Sequence, residues 1–220
     1  MIPRTLLATA RIPGGPEMRL YSRGVDHMIL VEREELMSTR MSGSEEALAT
    51  LTAERLQGRK AQRWLIGGYG MGFTLRAALA VLPKDAEITI AELVPEIIDW
   101  AKGPMAALTG TCLEDKRVTI AIGDVAHQIS RGGWDAILLD VDNGPDALVR
   151  AANDGLYGAG GLAAARQALN TGGLLAIWSA GPDPRFARTL QAARFKVEEI
   201  AVRARQNGKG PRHVIWFARA

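Results

Sequence analysis

The sequence predicts an α/β protein with a doubly wound, mostly parallel sheet of seven strands, a closing antiparallel C-terminal hairpin and a short N-terminal β-hairpin. Three observations lead to this fold class. From residue 62 onward, short apolar runs of strand length alternate with stretches that have the periodicity of helices, which is the pattern of βαβ units. A glycine-rich stretch directly follows the first apolar run. A polar loop joins the last two runs, which favours antiparallel pairing between them.

Composition limits the classes of function. The chain has 220 residues, 47% of them hydrophobic and 23% charged, and its 27 basic and 24 acidic side chains leave a net charge of only +3. So small an excess does not predict nucleic acid as a partner. The chain contains no apolar run long enough to span a membrane, so we expect no membrane partner.

Cysteine and histidine usage argues against a metal site. Cys112 is the single cysteine, which excludes an internal disulfide and a cysteine metal cluster. The three histidines, His27, His127 and His213, lie far apart in the sequence and lack the spacing of a zinc site. We therefore predict no metal and a location in the reducing cytoplasm.

The chain is expected to have two parts, an N-terminal lead-in with a β-hairpin over residues 1–42 and an α/β domain over residues 43–220. We expect residues 1–16 to form a loose lead-in, and the strands Met18–Tyr21 and His27–Glu32 to form the hairpin. Ser42, with a glutamate three residues later, has the spacing of a capping box and is expected to open the first long helix.

Seven strands and four helices are predicted for the main domain after this first helix. The predicted strands are Arg63–Ile66, Glu87–Ala91, Arg117–Ile122, Trp134–Leu139, Leu174–Trp178, Phe195–Val202 and His213–Ala218. The predicted helices are Thr74–Leu82, Pro95 to about Ala107, Leu162–Leu169 and Pro184–Ala193. This order predicts a parallel sheet with helices on both faces.

The glycine-rich stretch after the first strand marks the expected ligand site. The candidate ligand-binding residues there are Gly68, Tyr69, Gly70, Met71 and Gly72, which form a G-x-G-x-G pattern. Ligands of such sheets bind beyond the carboxyl ends of the strands, and glycine lets the backbone approach them closely. Many strand-to-helix turns need glycine for packing alone, however. Met37 and Met41, upstream of the loop, are candidates to cover a thioether of the ligand.

Acidic residues follow the next three strands. Glu92, followed by Leu93, ends the second strand, where a carboxylate can accept hydrogen bonds from a ribose diol. Gly123 and Asp124 end the third strand, and Asp124 is expected to accept from an adenine amino group. Asp140 ends the fourth strand. Taken singly, each acid is explained by a helix cap or a solvated turn; together they predict a nucleoside pocket beside the glycine loop.

The segment LIGGYGMGFTLRAAL resembles the I-G-G-G-D-G-G-T-L-R segment of spermidine synthases and related polyamine aminopropyltransferases, which have the class I S-adenosylmethionine (SAM) dependent methyltransferase fold. The resemblance continues through AELVPEIIDWAK, RVTIAIGD, WDAILLD, GLYGAGGLAAARQAL and GGLLAIW. Upstream, SEEALATL resembles the family's first long helix, with Glu46 on its glutamate. The resemblance covers most of residues 17–180 and implies a transferase that uses decarboxylated SAM as co-substrate and an amine as acceptor.

The same resemblance assigns catalysis to the region after the fourth strand. It implies that Asp140 orients the amine and takes its proton, that Asp142 belongs to the same acidic rim, and that Tyr157 supplies an orienting hydroxyl. An acidic rim attracts an ammonium substrate. The alternative is a turn of Asp, Asn, Gly and Pro residues whose charges are solvated. The acceptor is expected to be a small molecule, and a homodimer is left open.

Two other classes of function stay open. The glycine loop of the family carries an aspartate, whereas this loop contains no acid, which favours methyl transfer from SAM because an aspartate there would repel the SAM carboxylate. The third hypothesis is a non-catalytic nucleoside-binding or nucleic-acid-binding protein. It rests on the isoelectric point of about 9.2 and on basic residues of the last hairpin, namely Arg203, Arg205, Lys209 and Arg212.

Overall fold

The computed structural model describes residues 2–141 and 155–220, and its strands form two sheets. The first sheet has four antiparallel strands in the order β1-β2-β3-β4. These strands are β1 (Thr5–Arg11), β2 (Glu17–Arg23), β3 (Asp26–Val31) and β4 (Glu34–Ser38). The predicted N-terminal hairpin is present as β2 and β3, but it forms the centre of a larger sheet.

The prediction of a loose lead-in over residues 1–16 is wrong, because this segment contains β1. The Pro-Gly-rich segment 13–16 is the turn between β1 and β2, and the N–H of Ile12 closes it by donating to the carbonyl of Pro16 at 3.1 Å. Most of β1 is exposed, so its side chains show no alternation of apolar and polar positions that would predict a strand. The pattern also misses β4, which opens with two glutamates.

The second sheet has seven strands in the order β10-β11-β9-β8-β5-β6-β7. They are β5 (Arg63–Gly67), β6 (Glu87–Glu92), β7 (Val118–Ile122), β8 (Trp134–Leu139), β9 (Leu169–Ser179), β10 (Lys196–Arg203) and β11 (Arg212–Arg219). Strands β5 to β9 pair in parallel, and β11 pairs antiparallel with both β9 and β10. The predicted doubly wound sheet with its closing antiparallel hairpin is confirmed.

Seven α-helices lie wholly within the described part of the chain. They are α1 (Gly43–Arg55), α2 (Phe73–Val81), α3 (Pro95–Lys102), α4 (Ala106–Thr109), α5 (Val125–Ile129), α6 (Ala159–Ala168) and α7 (Pro184–Ala192). Two short 3₁₀ turns, Thr39–Met41 and Cys112–Glu114, precede α1 and β7. Because β5 pairs with β6 on one side and with β8 on the other, the strand order reverses at β5, where such sheets bind ligands.

Local predictions fail where tertiary structure overrides a short pattern. Ser42 forms no capping box, because the preceding 3₁₀ turn already gives it a helical backbone (φ −71°, ψ −13°) and its side chain makes no capping bond. The helix after β6 ends at Lys102, because Gly103 leaves the helical conformation (φ −111°, ψ −109°). Strand β9 begins at Leu169, within the predicted helix end, because it follows β8 as far back as Trp134.

The large sheet separates two hydrophobic cores. Successive residues of a strand point to opposite faces, so Trp64 and Ile66 lie in one core and Leu65 in the other. The first core also contains Leu20 and Ile29 of the N-terminal sheet, together with apolar residues of α1, α2 and α3. The N-terminal sheet is therefore held against the face of the large sheet, and it can supply one wall of a site at the strand ends.

Candidate functional site

A cavity with a volume of about 190 Å³ lies at the carboxyl ends of β5, β6, β7 and β8. Its lining comes from the loop after each of these strands and from the N-terminal sheet. The lining residues are Ile12, Met18, Ile29, Leu36, Met37, Glu45, Gly68, Tyr69, Gly70, Ala91, Glu92, Leu93, Val94, Ile97, Gly123, Asp124, Val125, Asp140, Val141, Leu156 and Trp178. Four of them are acidic and none is basic in the part of the chain that the structure describes.

The glycine loop forms the floor of this cavity at the end of β5. Gly70 has a φ of +55°, in the left-handed region that favours glycine, and a Cβ there would lie 2.8 Å from the Cε atom of Met37. Met37 of β4 therefore packs directly on the loop. Met71 and Gly72, at the end of the predicted loop, are absent from the cavity lining among the described residues, and Met71 lies in the core.

Glu92 ties the glycine loop to the end of β6. Its side chain is buried, and its two oxygens accept hydrogen bonds from the backbone N–H groups of Tyr69 and Val94, each at 2.8 Å. Burial raises the pKa of Glu92, and these backbone hydrogen bonds partly oppose that rise. The backbone N–H groups of Gly70 and Leu93 also favour the ionised form, so Glu92 is a carboxylate held by the loops after β5 and β6.

The loops after β6 and β7 form the open side of the cavity. Leu93 is partly exposed at this edge, and Gly123 and Asp124 line it from the next strand. Asp124 accepts from the backbone N–H of Ala126 at 2.8 Å and so caps α5. The helix cap that the sequence offered as an alternative role for Asp124 is therefore present and uses one of its carboxylate oxygens. The residue also lines the cavity.

Asp140 follows β8 and lies directly beside the glycine loop. Its backbone N–H donates to the carbonyl of Gly67 at 3.3 Å, which continues the pairing of β8 with β5. Its Oδ2 atom accepts from the hydroxyl of Thr74, on α2, also at 3.3 Å. Burial raises the pKa of Asp140 to about 6, with the Thr74 hydrogen bond opposing the rise.

Glu45 is the acidic lining residue that the sequence did not predict. It lies in the first turn of α1, 7% exposed, and no hydrogen-bond donor of the described residues reaches its Oε2 atom. Burial and then repulsion from Asp140 and Glu46 hold its pKa well above the ordinary value. A signal was present in the sequence, because Glu45 shares the buried stripe of α1 with Leu48, Ala49 and Thr52.

Glu46, which the resemblance placed on the family's helix glutamate, lies outside the cavity lining. It forms an ion pair with Arg76 of α2 and accepts two hydrogen bonds from the side-chain amide of Gln206, at 2.8 and 2.9 Å. Two adjacent glutamates of α1 therefore have different surroundings. Glu46 is paired with polar side chains of other elements, whereas Glu45 faces the cavity.

Of the other two predicted catalytic residues, only Tyr157 lies in the described part of the chain, and it is absent from the lining. Asp142 lies outside the described residues. Tyr157 is buried and contacts the ring of Phe186 edge-on, with 5.6 Å between ring centroids, while its neighbour Leu156 reaches the cavity. Trp178 of β9 is buried and also forms part of the cavity wall.

The described residues offer neither a cluster of metal ligands nor a membrane-spanning helix. Within residues 2–141 and 155–220, no three His, Cys, Asp or Glu side chains come close enough together to hold a metal ion. None of the helices in these same ranges is both long and apolar enough to cross a membrane.

Comparison with known sequences gives one informative relative. No protein-family model matches the chain. A polyamine aminopropyltransferase of Corynebacterium efficiens is 34% identical over an alignment of 141 residues, and the match covers 59% of this chain and 26% of that protein. The chain resembles a polyamine aminopropyltransferase. The matched stretch, however, spans only about a quarter of the length of this curated relative.

Solved structures of spermidine synthases share the fold. A spermidine synthase in complex with the transition-state analogue AdoDATO matches with a TM-score of 0.75 and 16% identity, over 97% of this chain and 72% of that one. The spermidine synthase of Thermotoga maritima matches with a TM-score of 0.76 and 17% identity, over 97% of this chain and 72% of that one. A probable spermidine synthase of Corynebacterium glutamicum matches with a TM-score of 0.67 and 15% identity, over 98% of this chain and 79% of that one. The resemblance drawn from the sequence motifs is confirmed, and the fold is that of the spermidine synthases.

Proposed function

We propose that the chain transfers an aminopropyl group from decarboxylated SAM to an amine. The observation that carries the proposal is the charge of the cavity. Glu45, Glu92, Asp124 and Asp140 line it, and no basic side chain does so in the described part of the chain. Decarboxylated SAM carries a sulfonium and an ammonium group, and the acceptor is a second amine, so both substrates of the reaction are cations that such a cavity attracts.

The nucleoside half of the ligand is proposed to bind at the ends of β5, β6 and β7. The backbone of Gly68 to Gly70 allows close approach, and the carboxylate of Glu92 accepts from the ribose hydroxyls. Asp124 lies at the mouth, where the amino group of an adenine is a suitable donor. Met37 and the apolar side chains of the N-terminal sheet cover the opposite side and keep water from the sulfonium.

Asp140 is proposed to prepare the amine for transfer. The amine must lose a proton before its lone pair attacks the carbon next to the sulfonium. A C–N bond then forms, the C–S bond breaks, and its electron pair stays on sulfur in the leaving methylthioadenosine. Because the pKa of Asp140 is raised to about 6, this carboxylate is a stronger base than an ordinary aspartate and still ionised at neutral pH. Asp142 and Tyr157 remain proposed contributors to the same step.

Methyl transfer from SAM is the second candidate, because the loop residues that line the cavity, Gly68 to Gly70, include no acid. The four acidic side chains elsewhere in the lining weigh against it, since SAM keeps a carboxylate.

A cytoplasmic location and a division of the chain at residue 42 are further proposals. The single cysteine supports the first, and the interval between β4 and α1 supports the second.

The test is to incubate the chain with decarboxylated SAM and, separately, 1,3-diaminopropane, 1,4-diaminobutane and spermidine, and to measure the methylthioadenosine released. Parallel reactions with SAM are assayed for S-adenosylhomocysteine. Amine-dependent release of methylthioadenosine supports the proposal. S-adenosylhomocysteine as the only product would favour methyl transfer, and neither product with any amine would contradict both transfer reactions for these acceptors.

A further inference from the structure

We infer that Glu45 and Asp140 together bind one primary ammonium group, and that Glu45 decides whether a charged amine is held there. The identification of this group as that of the acceptor amine rests on the proposed function. The binding site itself rests on the arrangement of the two residues, and above Glu45 contributes only to the charge of the cavity, with no assigned contact to a ligand.

A single hydroxyl group lies between the side chain of Asp140 and the backbone of Glu45. The Oγ1 atom of Thr74 lies 3.3 Å from the Oδ2 atom of Asp140 and 3.3 Å from the backbone carbonyl oxygen of Glu45. A threonine hydroxyl has one proton and can donate to only one of these oxygens at a time. Helix α2 therefore brings the start of α1 and the end of β8 together, while supplying a single donor for both residues.

The Oε2 atom of Glu45 lacks a donor although it is buried. Among residues 2–141 and 155–220, no group donates to this atom, and the residue is 7% exposed. Buried polar atoms in native proteins almost always have a hydrogen-bond partner. Since Glu45 lines the cavity, a ligand in the cavity can supply the missing donor.

The charge of the surroundings specifies the kind of donor. Asp140 faces Glu45 from β8, Thr74 faces it from α2, and Glu46 adds a negative charge from α1 itself. Arg76, the nearest described cation of α2, is engaged by Glu46. Two buried carboxyl groups without a cation repel each other, so one of them holds a proton. An ammonium group has three donors and one positive charge, which satisfies both carboxylates at once.

The rest of the cavity indicates what the ammonium group is attached to. Apolar surface faces the same space from several elements, namely from Leu36 and Met37 of β4 and from Leu156 and Trp178. Their carbon surfaces suit an alkyl chain, and the one side-chain donor among these four is the indole N–H of Trp178, which is buried without a partner among the described residues. The ligand class is therefore an alkylamine with a primary ammonium group. Both n-butylamine and 1,4-diaminobutane belong to this class.

Glu45→Gln is the test variant, and Glu46→Gln is its matched control on the same helix. Binding of n-butylamine and of 1,4-diaminobutane is measured by calorimetry with the cavity's nucleoside site saturated by methylthioadenosine. We expect Glu45→Gln to weaken amine binding by about ten- to a hundredfold, since a hydrogen bond to a charged group is lost. The affinity for methylthioadenosine should stay the same in both variants, which also shows that they are folded.

Proton release gives a second measurement that a purely structural residue would not change. Repeating the titrations in buffers of different ionisation enthalpy counts the protons set free when the amine binds. The wild-type chain should release a proton near pH 6, because the ammonium group displaces the proton held by the pair, and Glu45→Gln should release less.

The outcomes separate this site from the proposed reaction, because neither titration depends on transfer. Amine binding that needs Glu45 in a chain that transfers no aminopropyl group would refute the reaction and support the site. The site is refuted if neither amine binds the wild-type chain, if Glu45→Gln binds both as the wild type does, or if Glu46→Gln weakens binding equally.

Discussion

The two halves of the cavity differ in how far they are complete without a ligand. At the ends of β5 and β6, Glu92 is a buried carboxylate whose two oxygens both accept backbone hydrogen bonds. At the end of β8, the Thr74 hydroxyl lies between the carboxylate of Asp140 and the backbone carbonyl of Glu45, and the Oε2 atom of Glu45 lacks any donor among the described residues. The half at β5 and β6 holds a loop in place without a ligand. In the half at β8, two buried carboxyl groups lie together without a cation among the described residues.

This difference separates binding from chemistry. Groups that are already hydrogen-bonded hold their geometry and pay little to receive a ligand, which suits the nucleoside. Burial also raises the pKa of Glu92, but several backbone hydrogen bonds oppose that rise, whereas for Asp140 a single hydrogen bond from Thr74 does so, which suits a proton acceptor for the amine. Four substitutions or conditions test the distinction, beginning with the largest expected effect.

Asp140→Asn should lower turnover by about 10²–10⁴-fold, because it removes a positioned proton acceptor while keeping the shape of the side chain. Methylthioadenosine affinity should change little, since the nucleoside contacts lie at β5, β6 and β7. Initial rates with decarboxylated SAM and the best amine provide the measurement. Part of the loss should be recovered at higher pH, where more of the amine is neutral. Turnover equal to the wild-type rate would leave Asp140 a structural residue.

Gly70→Val should weaken methylthioadenosine binding by at least about a hundredfold. The new side chain would meet Met37, and a β-branched residue is strained at a φ of +55°. Gly110→Val is the matched control, because Gly110 has the same φ and open space around its Cβ position. Calorimetry should find near-normal binding in the control. Equal losses in the two variants would mean that backbone strain alone, and not the contact with β4, accounts for the effect.

Glu92→Gln should weaken methylthioadenosine binding by about ten- to a hundredfold, since a charged acceptor is lost from both the loop and the ribose. The amide can accept from Tyr69 or from Val94, but not from both with the strength of a carboxylate. Asp99→Asn, an exposed change on α3, is the control. Unchanged affinity for the nucleoside in a folded Glu92→Gln variant would remove Glu92 from the ligand site.

The smallest effect concerns stability and pH. The pKa of Asp140 is raised in the folded chain to about 6, so the folded state binds the proton more tightly than the unfolded state. Ionisation of Asp140 therefore costs stability as the pH rises from about 4 to 6. Relative to Asp140→Asn, the wild-type chain should lose about 1–2 kcal/mol of unfolding free energy over this range. Denaturant titrations at pH 4 and 7 measure it, and a constant difference between the two chains would contradict the raised pKa.

The sequence predicts most of the large sheet because each strand of β5 to β9 is a short apolar run bounded by turn residues. It also places Gly68, Glu92, Asp124 and Asp140 at one edge, since residues that end parallel strands meet there. Strand β1 could not be predicted, because its exposed side chains lack alternation and only pairing with β2 makes it a strand.

Glu45 shows why part of the site is hidden from sequence. Glu45 and Glu46 are adjacent and chemically identical, and the family resemblance directs attention to Glu46. Which of them enters the cavity depends on how α1 is rotated against α2, where Arg76 pairs with Glu46 and Thr74 approaches the backbone of Glu45. Such a rotation is fixed by packing between distant segments, and a local pattern carries little information about it.

The central claim is that the acidic cavity selects cationic ligands that carry no carboxylate. The most direct measurement is a calorimetric comparison of decarboxylated SAM with SAM on the wild-type chain at one ionic strength. The two compounds differ only in the carboxylate that Glu45, Glu92, Asp124 and Asp140 would repel. We expect decarboxylated SAM to bind at least about tenfold more tightly. Equal or tighter binding of SAM would contradict the claim.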